Sequence, residues 1–340
     1  MKIGVLTGGG DCPGLNAVIR AIIRKAIISY KYEVLGIMRG WKGLIDGAVK
    51  PLDINSAYGI LHQGGTILRT SRTNPYKNPE DAKKVLENIK KFEIDALIAI
   101  GGDDTLGVAY KLSQEDVKVV GIPKTIDNDL SGTEVTFGFD TAISIAAEAV
   151  DRATTTAESH DRVIVVEVMG RHAGWIALYA GIAGGAEMIL IPERPVNLEE
   201  ICDLLKARHK RGREYSIIVV SEGAQLGEGQ MITSTGEKDA FGHVRLGGIG
   251  KFLEKEIEKR TGLETRSMVL GHLQRGGNPT AFDRVLGTRL GVAAVELIAK
   301  GEFGKMVALQ CNKIVPVTLG EAIEQKLVTD EWYEIAQVLF

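Results

Sequence analysis

The stretch that decides the fold runs from Ile94 to Asp129. It opens Ile94-Asp95-Ala96-Leu97-Ile98-Ala99-Ile100-Gly101-Gly102-Asp103-Asp104-Thr105 and closes Pro123-Lys124-Thr125-Ile126-Asp127-Asn128-Asp129. Residues 96–100 are a short apolar run ending on two glycines, the pattern of a parallel strand buried on both faces. Residues 117–122 are a second such run, stopped by Pro123. The segment 106–112 between them reads as a helix. Both loops of this unit leave the carboxyl ends of neighbouring parallel strands, where open α/β sheets bind ligands. One loop brings glycines and acids. The other brings a lysine, a threonine and two more acids.

Working outward, the alternation of strand and helix continues in both directions. Towards the N-terminus, residues 2–7 read as a strand that runs into Gly8-Gly9-Gly10-Asp11-Cys12-Pro13-Gly14, with Asn16 as a cap for a helix over 17–29. A strand at 34–38 leads into a glycine-rich loop through Trp41, a packing residue, and Gly47. A polar loop follows with two arginines, Arg69 and Arg72, able to reach a phosphate. A helix is expected over 79–91. Towards the C-terminus, helices are expected at 140–158, 174–185, 198–210, 247–260 and 283–300. Strands are expected at 162–168, 188–191, 216–221, 265–270 and 306–309, and helical spacing resumes from Leu319. The polar, glycine-rich segment 224–242 reads as a long loop or hairpin. Repeated βα alternation argues for an α/β fold with parallel sheets covered by helices on both faces.

The 340 residues suit two domains rather than one core. Apolar residues at 44% and charged residues at 25% are the balance of a globular protein, and a net charge of -3 speaks against nucleic acid or an anionic membrane surface as partner. Cys12, Cys202 and Cys311 are far apart and form no CxxC pair, so neither a disulfide framework nor a zinc site is expected. The chain begins directly in a core strand and has no apolar run of the ~18 residues needed to cross a bilayer, which reads as cytoplasmic. The basic run from Lys206 to Arg213 reads as a solvated helix end.

The glycine turn at 8–14 is either a plain tight turn or a cradle of backbone N–H groups for phosphate. It matches neither GxGxxG nor GxxxxGK[ST]. The residues collected at strand ends narrow the choice of chemistry. Acids are Asp103, Asp104, Asp127, Asp129 and Glu222; cations and donors are Arg72, Lys124, Arg162, Arg171, Arg266, His272 and Arg275. Several arginines with acids and glycine turns suit phosphoryl transfer, which asks for positioning, charge neutralisation and a metal. Mg²⁺ takes one or two carboxylates together with substrate phosphates, a role that fits Asp103. An extended backbone at Asp127-Asn128-Asp129 would point both carboxylates the same way, one to accept a hydroxyl proton and one towards the metal. Arg171 suits stabilisation of charge on the phosphoryl group in flight.

Taken together, Leu6-Thr7-Gly8-Gly9-Gly10-Asp11-Cys12-Pro13-Gly14-Leu15-Asn16, Gly101-Gly102-Asp103-Asp104-Thr105, Pro123-Lys124-Thr125-Ile126-Asp127-Asn128-Asp129, Met169-Gly170-Arg171 and Gly271-His272-Leu273-Gln274-Arg275-Gly276-Gly277 resemble the 6-phosphofructokinase family, in order over nearly the whole chain. The resemblance implies two three-layer α/β/α domains with mainly parallel sheets and the active site in the cleft between them. It divides the chain into a donor-binding domain, 1–138 with about 274–324, and a fructose 6-phosphate-binding domain, 139–273 with about 325–340. It implies transfer to the 1-hydroxyl of fructose 6-phosphate with Mg²⁺ as cofactor. Asp127 then resembles the base, Thr125 and Lys124 its companions, and Arg171 the transition-state cation. Asp103 and Asp129 resemble the metal-side acids. Met169, Gly170 and Glu222 are similar to sugar-binding residues, and His272 and Arg275 to ligands of the 6-phosphate. Arg162 and Arg266 resemble arginines that reach a neighbouring subunit's site, which implies a homo-oligomer, dimer or tetramer. Gly10, Arg72, Gly102, Asp104 and Lys124 fall to the donor.

The donor turns on two positions. ATP-dependent members of the family usually carry glycine where this chain has Asp104, and commonly where it has Lys124. Glycine lets a nucleotide α-phosphate approach the turn, whereas a carboxylate occupies that space and repels it. The pair Asp104 and Lys124 therefore resembles the pyrophosphate-dependent branch, with an ATP-dependent enzyme as the alternative. A related-fold NAD or lipid kinase would lack the Gly271–Gly277 motif, and a non-catalytic sugar-phosphate-binding subunit would have lost Asp103 or Asp127.

Overall fold

The strand Ala96–Gly101 is buried along its whole length and sits at the centre of a seven-stranded sheet. Lys2–Thr7 and Val119–Pro123 flank it, both parallel to it. Glu33–Ile37 and Lys305–Gln310 extend the parallel set, and Val49–Leu52 and Lys313–Thr318 close the two edges antiparallel. This computed structural model describes the backbone of residues 1–227, 230–231, 233–238 and 244–338. A second sheet has four strands in the order Thr265–Val269, Val163–Val168, Ser216–Ser221, Met188–Leu190, all parallel.

Alternation along the strands supplies two faces to each sheet. Val5, Ile98 and Ile100 join a core shared with Ile164, Val166 and Val219 of the second sheet; Leu6, Leu97 and Ala99 face the opposite layer. Val163, Val165, Ile218 and Val220 line a third core under the helices Leu198–Lys210 and Ile249–Thr261. Each sheet thus has helices on both sides, the α/β architecture the alternation argued for. Among the described residues no helix is long and apolar enough to cross a membrane.

Several local expectations change. Asn16 does not cap the first helix. Gly14 does, at φ 107, and Asn16 lies buried inside Leu15–Arg24, donating to the Gln63 and Gly64 carbonyls and accepting from Ile67 N. The loop at 41–47 is mostly helix, Trp41–Asp46, with Trp41 buried as a packing residue. The two edge strands lack a sequence signal because each contains a proline, Pro51 and Pro316, which only a sheet edge tolerates. Segment 224–242 begins two short antiparallel pairs, Gln225–Leu226 with Gln230–Met231 and Thr233–Lys238 with Val244–Leu246; its residues 228–229, 232 and 239–242 lie outside the described residues.

One buried carboxylate joins the two parts of the chain. Asp283, in the first turn of Ala281–Lys300, is fully buried and accepts from Gly138 N and Thr141 N at 2.8 Å and from Thr141 Oγ1 at 2.5 Å, the N-terminus of Phe139–His160. Burial pushes its carboxyl up to about 6, against the three donors that favour its charged form. A folded-state value above the ordinary one means the stability it contributes is complete below about pH 4 and is lost as pH rises through about 6. Relative to Asp283→Asn, the parent is therefore expected to lose on the order of 2–3 kcal/mol between about pH 4 and pH 6.5, measured by urea unfolding at each pH. A difference independent of pH would mean the carboxyl is not shifted.

Candidate functional site

The strand-end turns of the large sheet meet one another at close range. At Gly101 a Cβ would lie 2.2 Å from Thr105 Cβ, so only glycine lets the chain leave the strand and fold back under the next helix. That helix, Asp103–Gln114, starts earlier than expected: Asp103, Asp104 and Thr105 form its first turn rather than the loop before it. Acids in a first turn face the positive end of the helix dipole, and they also sit at the mouth of the cleft.

Lys124 follows the neighbouring strand and is 3% exposed. Its Nζ donates to Gly10 O at 2.6 Å, tying this turn to the first glycine turn across 114 residues of sequence. Burial pushes the Lys124 ammonium down, while Asp103 and Asp127 favour its charge. The backbone of the next turn is not extended as the spacing suggested. Asn128 adopts φ 53, in the left-handed region, and Asp127 N donates to Thr125 Oγ1 at 3.0 Å. Asp127 and Asp129 still face the same cavity, because the left-handed residue between them reverses the chain. Burial pushes both carboxyls up; Asp103 adds to this for Asp127, while Arg275 and Arg171 oppose it. Asp129 reaches about 7 through burial, then the charges of Asp127 and Asp103. Asp127 Oδ1 is buried with no hydrogen-bond partner among the described residues.

The other wall comes from the small sheet and the segment after it. Met169 and Arg171 leave Val163–Val168, Glu222 leaves Ser216–Ser221, and the 3₁₀ turn Gly271–Arg275 follows Thr265–Val269. Burial pushes the Glu222 carboxyl up to about 7, with Asp127 adding to the rise and Arg171 and Arg275 opposing it. Arg275 Nη1 donates to Asp11 O at 3.3 Å, and at Gly10 a Cβ would lie 2.7 Å from that nitrogen, so the glycine leaves room for the guanidinium. Gln274 is fully buried, and its Oε1 accepts from Met169 N at 2.8 Å.

These walls enclose two adjoining lobes. A small one, about 110 Å³, is lined by Gly10, Gly102, Asp103, Asp104, Lys124, Thr125, Asp127 and Asp129 and reaches Arg72, Met169, Arg171, Glu222 and Arg275. A larger one, about 640 Å³, shares Gly10, Arg72, Met169, Arg171, Glu222 and Arg275 and adds His272. Of the residues singled out in the sequence, Gly170, Arg162 and Arg266 line neither. Gly170 supports the turn from behind: its carbonyl accepts from Ser221 Oγ. Arg162, just before the inner strand Val163–Val168, and Arg266, on the edge strand Thr265–Val269, both pair with Glu264 Oε1, at 2.7 and 2.6 Å. Of the two loop arginines only Arg72 lines the cavity. Gly9, Asp11, Thr70, Ser71, Thr105 and His172 line it without having been singled out, although Gly9, Asp11 and Thr105 lay within the motifs already quoted. Thr70 and Ser71 carry no motif signal; Thr70 Oγ1 donates to Gly9 O, and Gly9 N donates to Ser71 O, contacts between loops 61 or more residues apart.

No cluster of three or more His, Cys, Asp or Glu able to hold a metal by itself occurs among the described residues. The donor set nevertheless fits a hard cation held jointly with a phosphorylated ligand: Asp103 and Asp129 face the small lobe, and the unpartnered Asp127 Oδ1 lies beside them. Cys12, behind the glycine turn, is buried, and burial pushes its thiol up to about 12, so it carries no thiolate chemistry.

Comparison with known proteins identifies the family. A family profile described as Phosphofructokinase matches residues 2–298. The chain is 57% identical, over the full length of both, to the pyrophosphate--fructose 6-phosphate 1-phosphotransferase of Amycolatopsis methanolica. It is 51% identical, again over both full lengths, to ATP-dependent 6-phosphofructokinase 2 of Streptomyces coelicolor. Among solved structures, the pyrophosphate-dependent phosphofructokinase of Marinobacter aquaeolei superposes with a TM-score of 0.84 at 24% identity, covering 100% of this chain and 91% of that one, a likeness of fold.

Proposed function

The chain belongs to the phosphofructokinase family, and on that premise we propose that it transfers a phosphoryl group from inorganic pyrophosphate to the 1-hydroxyl of fructose 6-phosphate. The products are fructose 1,6-bisphosphate and orthophosphate: one P–O–P bond breaks, one C–O–P bond forms, and the reaction is readily reversible. It is a cytoplasmic glycolytic phosphotransferase in this reading.

The small lobe takes the donor and the larger one the sugar phosphate. In domain terms, residues 1–138 with about 274–324 bind pyrophosphate, and 139–273 with about 325–340 bind fructose 6-phosphate. Glu222 and Met169 hold the sugar, with Gly170 supporting that turn from behind, and His272 with Arg275 neutralises its 6-phosphate. Asp127 accepts the proton of the 1-hydroxyl late in a loose transition state, so a strong base is not required. Arg171 neutralises charge as it builds on the transferring group, and Lys124, anchored on Gly10 O, sits beneath the donor turn with Thr125 supporting Asp127. Asp103 and Asp129 would hold Mg²⁺, which supplies charge neutralisation to the donor phosphates when bound. Arg162 and Arg266 lie outside this cavity, paired through Glu264 beside the edge strand Thr265–Val269, whose Val269 is exposed, which supports contact with a second copy in a dimer or tetramer.

The observation that carries the choice of donor is Asp104 at the rim of the small lobe, in the first turn of the helix after Gly102. A nucleotide would bring its α-phosphate against this carboxylate; pyrophosphate ends before it. The test is fructose 1,6-bisphosphate formation with Mg²⁺ and either pyrophosphate or ATP in parallel. Pyrophosphate is expected to support turnover and ATP to fail. Asp104→Gly should raise kcat/KM for ATP about tenfold or more, the effect of removing roughly 1.4 kcal/mol of repulsion. ATP working alone in the parent would overturn the donor assignment and leave the sugar-phosphate residues standing.

A further inference from the structure

The C-terminal segment lies beyond residue 298, where the family profile ends, yet it touches both walls of the cleft. Its head is Lys326. The Nζ of Lys326 donates to Asn128 Oδ1 and Thr133 O at 3.0 Å and to Glu134 O at 2.9 Å, which uses all three ammonium donors. Asn128 is the buried left-handed residue between Asp127 and Asp129, and its Oδ1 also accepts from Thr136 N at 3.1 Å. The backbone repeats the tie: Lys326 N donates to Asp129 O at 2.8 Å and Ser131 N to Glu324 O at 3.1 Å.

The same segment then crosses to the helix that follows the Arg171 turn. Trp175 Nε1, at the start of Trp175–Ala183, donates to Lys326 O at 2.9 Å. Glu193 Oε1 accepts from both Gly174 N and Val328 N, at 3.0 and 2.9 Å. Trp332 stacks its edge against Trp175 with ring centroids 6.1 Å apart and lies 5.3 Å from the Tyr179 ring.

We infer that this segment is a strap across the cleft and that Lys326 is a positioning residue, holding the turn of Asp127 and Asp129 in register with the turn of Arg171. The inference rests on the reaction assigned above. Asparagine enters the left-handed region at little cost, so its backbone conformation alone does not fix this turn; the groups around its side chain and the flanking carbonyls do. Lys326 supplies such a group from 198 residues away. A lysine that merely anchored a tail would influence folding but not the alignment of a base with the group it serves, where small displacements cost large factors in rate.

The test combines amide hydrogen exchange with steady-state kinetics on the full chain, for the parent and for Lys326→Met, which keeps the stem and removes the donors. Exchange at Ser131 and Thr136 is expected to quicken about tenfold or more while the strand Ala96–Gly101 stays protected, and kcat to fall about 10–100-fold with KM for fructose 6-phosphate within about threefold. If Lys326→Met does not fold, Trp332→Ala loosens the far end of the strap and should move the same amides and kcat in the same direction by about threefold. Unchanged exchange at Ser131 and Thr136 overturns the strap. Faster exchange with unchanged kcat, or a fall in kcat that only follows the folded fraction, overturns the positioning role. Quickened exchange in a chain whose parent phosphorylates fructose 6-phosphate from neither donor would keep the strap and reject the reaction.

Discussion

Replacing Asp127 by serine is expected to lower kcat about 10³–10⁴-fold while the dissociation constant of fructose 6-phosphate stays within about threefold. The carboxylate faces the small lobe with one oxygen buried and unpartnered, the state of a group that waits for a proton or a cation. The sugar phosphate is held by other residues, so ground-state binding keeps its contacts. Loss of a proton acceptor is felt only as the hydroxyl attacks, and hence in kcat. Burial also raises the Asp127 carboxyl, so serine at this site removes a costly buried charge and should not unfold the chain. Calorimetric titration with fructose 6-phosphate beside initial rates decides the matter. Lost binding with intact turnover of the bound fraction would reject Asp127 as the base.

Arg171→Ala is expected to cost about 10²–10³ in kcat, the usual effect of removing one preorganised donor from a developing charge. Arg171 has a second signature. It holds down the carboxyls of both Asp127 and Glu222, which burial pushes up. Without the guanidinium these values rise further, so the acid limb of kcat should move to higher pH in Arg171→Ala. Arg171→Lys keeps the charge, so it should restore the limb more fully than the rate, because a lysine lacks the planar fork. A limb that stays where the parent has it would mean that the arginine does not face these acids in the working enzyme.

Much of this site could be read before any coordinates. Asp103, Asp104, Lys124, Asp127 and Asp129 were legible because each follows an apolar run closed by glycine or proline, and such runs end at the ligand-binding edge of a parallel sheet. Arg162 and Arg266 read equally well as strand-end cations, and Gly170 as part of a motif, yet none lines the cavity. Arg162 and Arg266 sit at the amino ends of Val163–Val168 and Thr265–Val269, whereas Arg171 and the turn Gly271–Arg275 leave the carboxyl ends of the same strands, where the cleft lies. Thr70 and Ser71 gave no sign because their contribution is a loop packed against another loop.

What the sequence determined by itself was the identity and order of most elements, the two proline-bearing edge strands and the helix Trp41–Asp46 aside, and the chemistry at their ends. Burial of a strand on both faces demands an unbroken apolar run, and a tight turn demands glycine, and both are conditions on neighbouring residues. The tertiary structure alone decided which ends share a cleft: Gly10 against Arg275, Lys124 against Gly10, Asp283 against Gly138 and Thr141, Lys326 against Asn128. These partners are separated by more than a hundred residues. No periodicity or spacing encodes such contacts, because they arise when sheets and helices pack as bodies and bring distant polar groups together in a core that leaves them no other partner.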